Sequence, residues 1–306
     1  MKSKDRIAVC SRSFSKNTTL RQELFSLYEN VTFNDDGIKL EGDSLVDFLK
    51  GHDKAIVALE RIDDDILSRL PELKVISKYG VGLDMIDIDA IHNYGKRLGW
   101  VGGVNRRSVS ELVISFAIAI LRHIPAANRE VVNGIWRQHV GSYLSNRTVG
   151  IIGCGFVGKD LVKLLQPFNC KILVNDIRKD ADFCTEFNIQ YVDLDTLLSN
   201  SDVVTIHLPL DNSTRNMLNK EKLSLLKSES ILINTARGGI VDEYALKEML
   251  KNGSLLAAAF DVFNVEPPPD KELILLPNFL VTPHIGGSAN EAILSMGRAA
   301  ISGLNI

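Results

Sequence analysis

The feature that most restricts the fold of this chain is the glycine run Gly153-Cys154-Gly155-Phe156-Val157-Gly158, set directly after the apolar stretch Thr148-Val149-Gly150-Ile151-Ile152. The apolar stretch reads as a buried strand and Phe156 onward reads as a helix, so the glycines occupy a strand-to-helix turn. There each has a separate duty. Gly153 permits the tight turn, Gly155 lets a pyrophosphate approach the backbone, and Gly158 lets helix and strand pack closely. The amides at the start of the helix, around Phe156 and Val157, would meet the phosphates. A dinucleotide site is the expectation. A second strand ends at Asp176, which at that place accepts hydrogen bonds from both adenosine ribose hydroxyls and repels a 2′-phosphate. That favours NAD over NADP, and the nearby Arg178 works against the preference.

Short β-branched runs alternate with helical stretches from end to end, which predicts an α/β protein with mainly parallel strands. One series lies near Ile7–Cys10, Val31–Phe33, Ala55–Leu59 and Val75–Lys78. A second comprises Thr148–Gly153, Lys171–Asp176, Val203–Leu208, Ile231–Thr235, Ala257–Val262 and Leu280–Thr282. Their continuous apolar character fits strands covered by helices on both faces. Between the series, Ser108 with Glu111 has the form of a capping box before a helix that is apolar nearly all round. Such a helix is expected to be buried between domains or at a subunit contact, and Pro125 is expected to end or kink it. Pro267-Pro268-Pro269 reads as a stiff loop.

At 306 residues the chain has room for two domains, and a formal net charge of −3 gives no electrostatic reason to expect nucleic acid or an anionic membrane. No run approaches a membrane span, no export signal precedes the first strand, and no metal-ligand spacing is found. The four cysteines, Cys10, Cys154, Cys170 and Cys184, form no CxxC pair and are expected to stay reduced in the cytoplasm.

Three further residues each follow a predicted strand of the second series: Arg237 in Thr235-Ala236-Arg237-Gly238-Gly239, Glu266 in Val265-Glu266-Pro267, and His284 in Pro283-His284-Ile285-Gly286-Gly287. Ligands of open α/β sheets bind outside the carboxyl ends of the strands, so the three should converge. A planar guanidinium can hold a 2-oxo acid's carboxylate in bidentate fashion. Reduction of the ketone puts charge on its oxygen, and histidine is suited to donate the proton. Arg237 is therefore assigned to substrate anchoring, His284 to acid/base catalysis and Glu266 to tuning His284. His207, at a strand end, competes with His284 and is read as lining the cofactor pocket, because its neighbourhood implies no acidic partner.

With these residues in place, the chain resembles the D-isomer-specific 2-hydroxyacid dehydrogenases, and among them the phosphoglycerate dehydrogenase branch. The likeness is strongest from Val75 to Ala289 and includes Lys78-Tyr79-Gly80-Val81-Gly82-Leu83-Asp84, Ser108-Val109-Ser110-Glu111-Leu112 and His207-Leu208-Pro209-Leu210. The resemblance implies two doubly wound parallel-sheet domains: a Rossmann-type NAD domain (103–285) inserted into a flavodoxin-like substrate domain (1–102 and 286–306). It also implies a homodimer formed through the cofactor domains and a cleft that closes on a small 2-hydroxy or 2-oxo acid. By the same resemblance Pro209, Thr214, Thr235, Ala236, Asp261 and Gly286 join His207, Arg237 and His284 around the cofactor. Lys78, Tyr79, Gly80, Val81 and Gly82 would meet the substrate with Arg237 and His284, the amides around Val81 and Gly82 binding its carboxylate. Glu266, where formate dehydrogenases of the superfamily carry glutamine, points to hydroxyacid chemistry.

Two departures bear on the substrate. Phosphoglycerate dehydrogenases usually carry an arginine at the end of the third strand for the substrate phosphate, where this chain reads Ile56-Val57-Ala58-Leu59-Glu60-Arg61. Lys78 or Arg61 would then have to take an anionic tail. Gly99-Trp100-Val101-Gly102 replaces the family's Asn-Thr-Pro-Gly run, and Trp100 is expected either to reshape the pocket or to pack. A hydroxypyruvate or glyoxylate reductase is the alternative activity, and an NADH-sensing protein of the corepressor type is the alternative of another class. With nothing after Ile306, serine feedback of the kind seen in long phosphoglycerate dehydrogenases is not expected.

Overall fold

The computed structural model describes residues 2–306. By contacts the chain divides into two compact units, Met1–Asn105 with Ser288–Ile306, and Arg106–Gly287. The sequence places the boundaries at 102/103 and 285/286; the contacts place them at 105/106 and 287/288.

The first unit is built on a five-stranded parallel sheet: β1 (Ser3–Val9), β2 (Tyr28–Phe33), β3 (Lys54–Val57), β4 (Val75–Lys78) and β5 (Arg97–Gly99), in the order β2-β1-β3-β4-β5. The segment Asn290–Ser302, with the turn after it, returns to this sheet. The Ser77 hydroxyl donates to the Ala300 carbonyl at 2.6 Å, and Lys54 Nζ donates to the Leu304 carbonyl at 2.7 Å. Side chains from both chain ends share one core, with Ile7, Leu20, Leu24 and Tyr28 buried among Ala300, Ile301 and Leu304.

The second unit holds a seven-stranded parallel sheet: β6 (Thr148–Ile152), β7 (Lys171–Asn175), β8 (Gln190–Tyr191), β9 (Val203–Ile206), β10 (Ile231–Asn234), β11 (Ala257–Phe260) and β12 (Phe279–Val281). Its order is β12-β11-β10-β9-β6-β7-β8. The chain starts in the middle at β6, runs outward through β7 and β8, then crosses back to β9 and runs outward the other way. The topological switch point therefore lies between β6 and β9, where open sheets of this type form a crevice at the carboxyl ends of their strands. Most core strand positions are buried on both faces, because cores of apolar side chains cover each side of the sheet.

The helix Arg106–Leu121 starts two residues before Ser108, so Ser108 is not its cap and the capping box does not form. Its hydroxyl instead donates to the Gly286 carbonyl at 2.6 Å. The helix buries only one face, through Val109, Val113, Phe116, Ala117 and Leu121. It breaks at His123, whose backbone is left-handed, and Pro125 stands in the first turn of the next helix, Ile124–Val132. Among the described residues no single helix is long and apolar enough to cross a membrane; these two reach that length only together and are bent by 62°.

Two short strands escaped the sequence reading. β5 carries Arg97 and Leu98 at a sheet edge, and β8 is two residues long, so neither has the buried apolar run that marked the others.

Candidate active site

The glycine loop sits at the switch point as its spacing predicts, and packing accounts for two of its three glycines. Gly153 has φ +95°, and a Cβ there would lie 2.5 Å from the His207 carbonyl oxygen. A Cβ on Gly158 would lie 2.2 Å from the Gly153 carbonyl, so helix and strand could not approach as they do. Gly155 differs: a Cβ on it would meet nothing within 4 Å. No protein neighbour requires glycine there, and the open space above its backbone is what a pyrophosphate needs. The helix that follows, Phe156–Leu165, begins with Phe156 exposed and Val157 accepting from the Ser110 hydroxyl at 3.3 Å. Arg107 clamps it through a bidentate pair with the buried Asp160, at 2.9 and 3.0 Å.

Asp176 follows β7 and lies beside this loop. Its carboxylate accepts from the Cys154 amide at 2.6 Å and the Arg178 amide at 2.8 Å. A carboxylate can accept further bonds, so the position suits a ribose hydroxyl. Arg178 is present there through its backbone. His207 follows β9; its Nε2 pairs with the Thr205 hydroxyl at 3.0 Å, and burial pushes the imidazole down to about 3, so it is neutral at ordinary pH. The Thr214 hydroxyl donates to the Pro209 carbonyl at 2.7 Å and accepts from the Asp211 amide at 2.9 Å, closing the loop after β9 on itself. The Thr235 hydroxyl is buried without a hydrogen-bond partner.

The three acid/base and anchoring candidates follow three adjacent strands. After β10, Asn234 braces the turn: its side chain accepts from the Ala236 amide at 3.0 Å and donates to the Arg237 carbonyl at 2.9 Å. Gly238 lets that turn press on the next loop, since a Cβ would lie 1.9 Å from the Phe263 carbonyl carbon. After β11, Glu266 Oε1 accepts from the Phe263 amide at 3.1 Å, and Oε2 lies 2.8 Å from His284 Nδ1. A carboxylate only accepts, so the imidazole carries its Nδ1 proton toward Glu266 and keeps Nε2 for chemistry. Both side chains are partly exposed, His284 at 49% and Glu266 at 38%.

His284 has φ +56°, a left-handed backbone rare for residues with side chains. Its segment is held by Asp261, one residue past β11. The buried Asp261 carboxylate accepts from the Thr282 hydroxyl at 2.5 Å and from the Ile285 and Gly286 amides at 2.7 Å each. The Asp261 carbonyl accepts from the His284 amide at 2.9 Å.

The expected substrate residues belong to the first unit. Lys78, at the end of β4, is buried and its ammonium donates to the Ala58 carbonyl. Tyr79 packs edge-on against Phe14, and Gly80 has φ +119°. Trp100 Nε1 donates to the Val81 carbonyl at 2.9 Å. Because the C=O and N–H of one trans peptide point in opposite directions, this bond fixes where the Gly82 amide points. After β3, Leu59 is exposed at 73%, the buried Glu60 carboxylate accepts from the Ala58 amide at 2.6 Å, and Arg61 pairs with Asp63 at 2.9 Å. Asn234, Ser108 and Trp100 were not assigned these tasks from sequence; Asn234, polar in an apolar strand, and Trp100, in a run that departs from the family's, carried signals that could have found them.

A family model described as the D-isomer specific 2-hydroxyacid dehydrogenase NAD binding domain matches residues 114–286. The chain is 37% identical over 264 residues to the hydroxypyruvate reductase of Thermotoga maritima, across 84% of this chain and 85% of that one. It is 38% identical over 240 residues to the D-3-phosphoglycerate dehydrogenase of Archaeoglobus fulgidus, across 78% of this chain and 46% of the other. Among solved structures, the pyruvate reductase of Chlamydomonas reinhardtii has a TM-score of 0.82 and 27% identity, covering 99% of this chain and 97% of that one.

Proposed function

Because this chain belongs to the D-isomer specific 2-hydroxyacid dehydrogenases, a family of NAD-dependent oxidoreductases, we propose that it reduces a small, unphosphorylated 2-oxo acid to the D-2-hydroxy acid. The observation that carries the reading is the 2.8 Å contact of Glu266 with His284 Nδ1, with Arg237 presented from the adjacent strand end. NADH supplies the hydride. Arg237 holds the substrate carboxylate through its planar guanidinium. His284, protonated and oriented by Glu266, delivers its Nε2 proton to the ketone oxygen as charge develops there. Gly155, Asp176 and the unpartnered Thr235 hydroxyl are the groups that fit the cofactor.

An unphosphorylated tail is favoured by the loop after β3. Exposed Leu59 and buried Glu60 offer a phosphate nothing attractive, while the Lys78 ammonium is engaged by Ala58 and Arg61 by Asp63. Hydroxypyruvate or glyoxylate is the expected substrate class. The test is kcat/KM for hydroxypyruvate, glyoxylate and 3-phosphohydroxypyruvate with NADH and with NADPH. Hydroxypyruvate should exceed its phosphorylated form by tenfold or more, about 1.4 kcal/mol. A preference for the phosphorylated acid would overturn the assignment and move the protein to the phosphoglycerate branch. NADH binding without turnover of any acid would favour the sensor reading.

The protein is further proposed to act as a cytoplasmic homodimer. All four cysteines are free thiols. The end of the helix Ile124–Val132 and the segment after it expose Val132, Trp136, Val140 and Tyr143 at 76, 86, 94 and 78%, apolar side chains that a second copy of the chain would cover.

A further inference from the structure

We propose that Glu243 is a positioning residue for Glu266: it holds the turn from which Glu266 reaches His284, through the reach of its side chain and not through its charge. Two successive amides after β11 are each taken by a glutamate. The Phe263 amide donates to Glu266 Oε1 at 3.1 Å, and the Asn264 amide donates to Glu243 Oε1 at 2.8 Å. Glu266 is therefore bonded to the peptide next to the one that Glu243 fixes. Its other oxygen, Oε2, lies 2.8 Å from His284 Nδ1.

Glu243 opens the helix Glu243–Asn252, which Asp242 caps by accepting from the Ala245 amide at 2.9 Å. An acid in a first turn is ordinarily explained by the helix dipole. Glu243 instead turns its carboxylate onto the loop after β11, where Phe263 is buried and Asn264, Val265 and Glu266 are exposed. The two glycines after Arg237 press on the same loop from their own turn. A Cβ on Gly238 would lie 1.9 Å from the Phe263 carbonyl carbon, and one on Gly239 would lie 3.2 Å from Asn264 Oδ1. Burial raises the Glu243 carboxyl above its ordinary range, Asp270 and Asp242 add to that, and the bond from the Asn264 amide opposes it. Asp270 is itself paired with Lys247 at 2.8 Å. The Asn264 amide is thus the neighbour that favours an acceptor at this place. A backbone N–H needs only an oxygen there, which a neutral amide side chain of the same length also supplies.

The inference rests on the reading of Glu266 and His284 as the acid/base pair. Glu243→Gln, Glu243→Asp and Glu243→Ala are compared for kcat, KM, NADH affinity, melting temperature and the pH profile of kcat/KM. The Asp change is repeated in Glu266→Gln. Glu243→Gln keeps an oxygen at the same reach, so its kcat should stay within about twofold of wild type. Glu243→Asp keeps the charge and suits a first helical turn, but it is one methylene too short for the Asn264 amide. Its kcat should fall about tenfold with a displaced pH profile and unchanged NADH affinity, in line with a small misplacement of Glu266. Glu243→Ala should behave as Glu243→Asp does, and if it does not fold the other two decide. In Glu266→Gln the Asp change should cost less than about threefold, because the charge it would misplace is gone. A loss in Glu243→Gln equal to or greater than that in Glu243→Asp would overturn the inference in favour of a charge effect. Losses that add in the double variant, or a lowered melting temperature with kcat retained, would also overturn it and leave Glu243 a structural role. If His284→Ala is inactive while Glu243→Asp keeps wild-type kcat and pH profile, the inference fails and the acid/base reading stands. If His284→Ala turns over at the wild-type rate, the acid/base reading itself fails.

Discussion

At the scale of single residues, the site works through pairs, and each pair predicts a distinct failure. Glu266→Gln keeps an oxygen that can accept from Nδ1 but removes the charge that stabilises an imidazolium. Its kcat should fall about 10- to 100-fold, with NADH affinity held. Arg237→Lys should not rescue Arg237→Ala, because a point charge cannot grip a carboxylate in bidentate fashion; both should raise KM for the 2-oxo acid. His207 predicts a pH effect. Burial lowers its imidazole to about 3, against an unfolded value near 6.5, so the folded protein binds fewer protons between those limits. Stability is therefore fully present above about pH 6.5 and declines below it, by at most about 1.4 kcal/mol per pH unit from this group. Acid titration of the urea midpoint should be shallower in His207→Gln over that window. An identical slope would show that the folded protein does not hold His207 neutral.

At the scale of elements, what the sequence disclosed depended on whether a residue's task is local. Gly153 and Gly158 were legible because strand, turn and helix are contiguous, and the clashes their side chains would make lie within that unit or on the next strand end. The Glu266–His284 pair was legible because each residue follows a wholly apolar run, Ala257–Phe260 and Phe279–Val281. Nothing in a linear pattern says that the carboxylate at Asp261 meets the amides of Ile285 and Gly286. Ser108 looked like a cap for the same reason: its partner, the Gly286 carbonyl, is distant in sequence. β5 and β8 were missed because short edge strands lack the apolar run that reports burial on both faces. The glycine turn gives a paired prediction. Gly158→Ala should destabilise the fold by about 1–3 kcal/mol, since the blocking atom is backbone. Gly155→Ala should melt as wild type yet bind NADH at least about tenfold more weakly, a loss near 1.4 kcal/mol. Equal NADH affinity in Gly155→Ala would remove the pyrophosphate from that position.

At the scale of the molecule, one construction principle recurs in both units: a parallel sheet whose chain reverses direction partway. In the second unit the candidate residues fall on both sides of the switch point, Gly155 and Asp176 on one side and Arg237, Glu266 and His284 on the other. The exposed apolar segment with Trp136 and Val140 belongs to the same unit and predicts assembly. Trp136→Asp should convert a dimer to monomer in sedimentation equilibrium, and a wild-type monomer at micromolar concentration would contradict the proposal. The central claim is that His284, set by Glu266, protonates a 2-oxo acid during reduction by NADH. The most direct measurement is the rate of NADH oxidation by hydroxypyruvate and glyoxylate in the wild type and in His284→Ala, each shown separately to bind NADH. The account predicts turnover in the wild type and a loss of about 10²- to 10⁴-fold in the variant. Turnover in His284→Ala within a few-fold of wild type would contradict it.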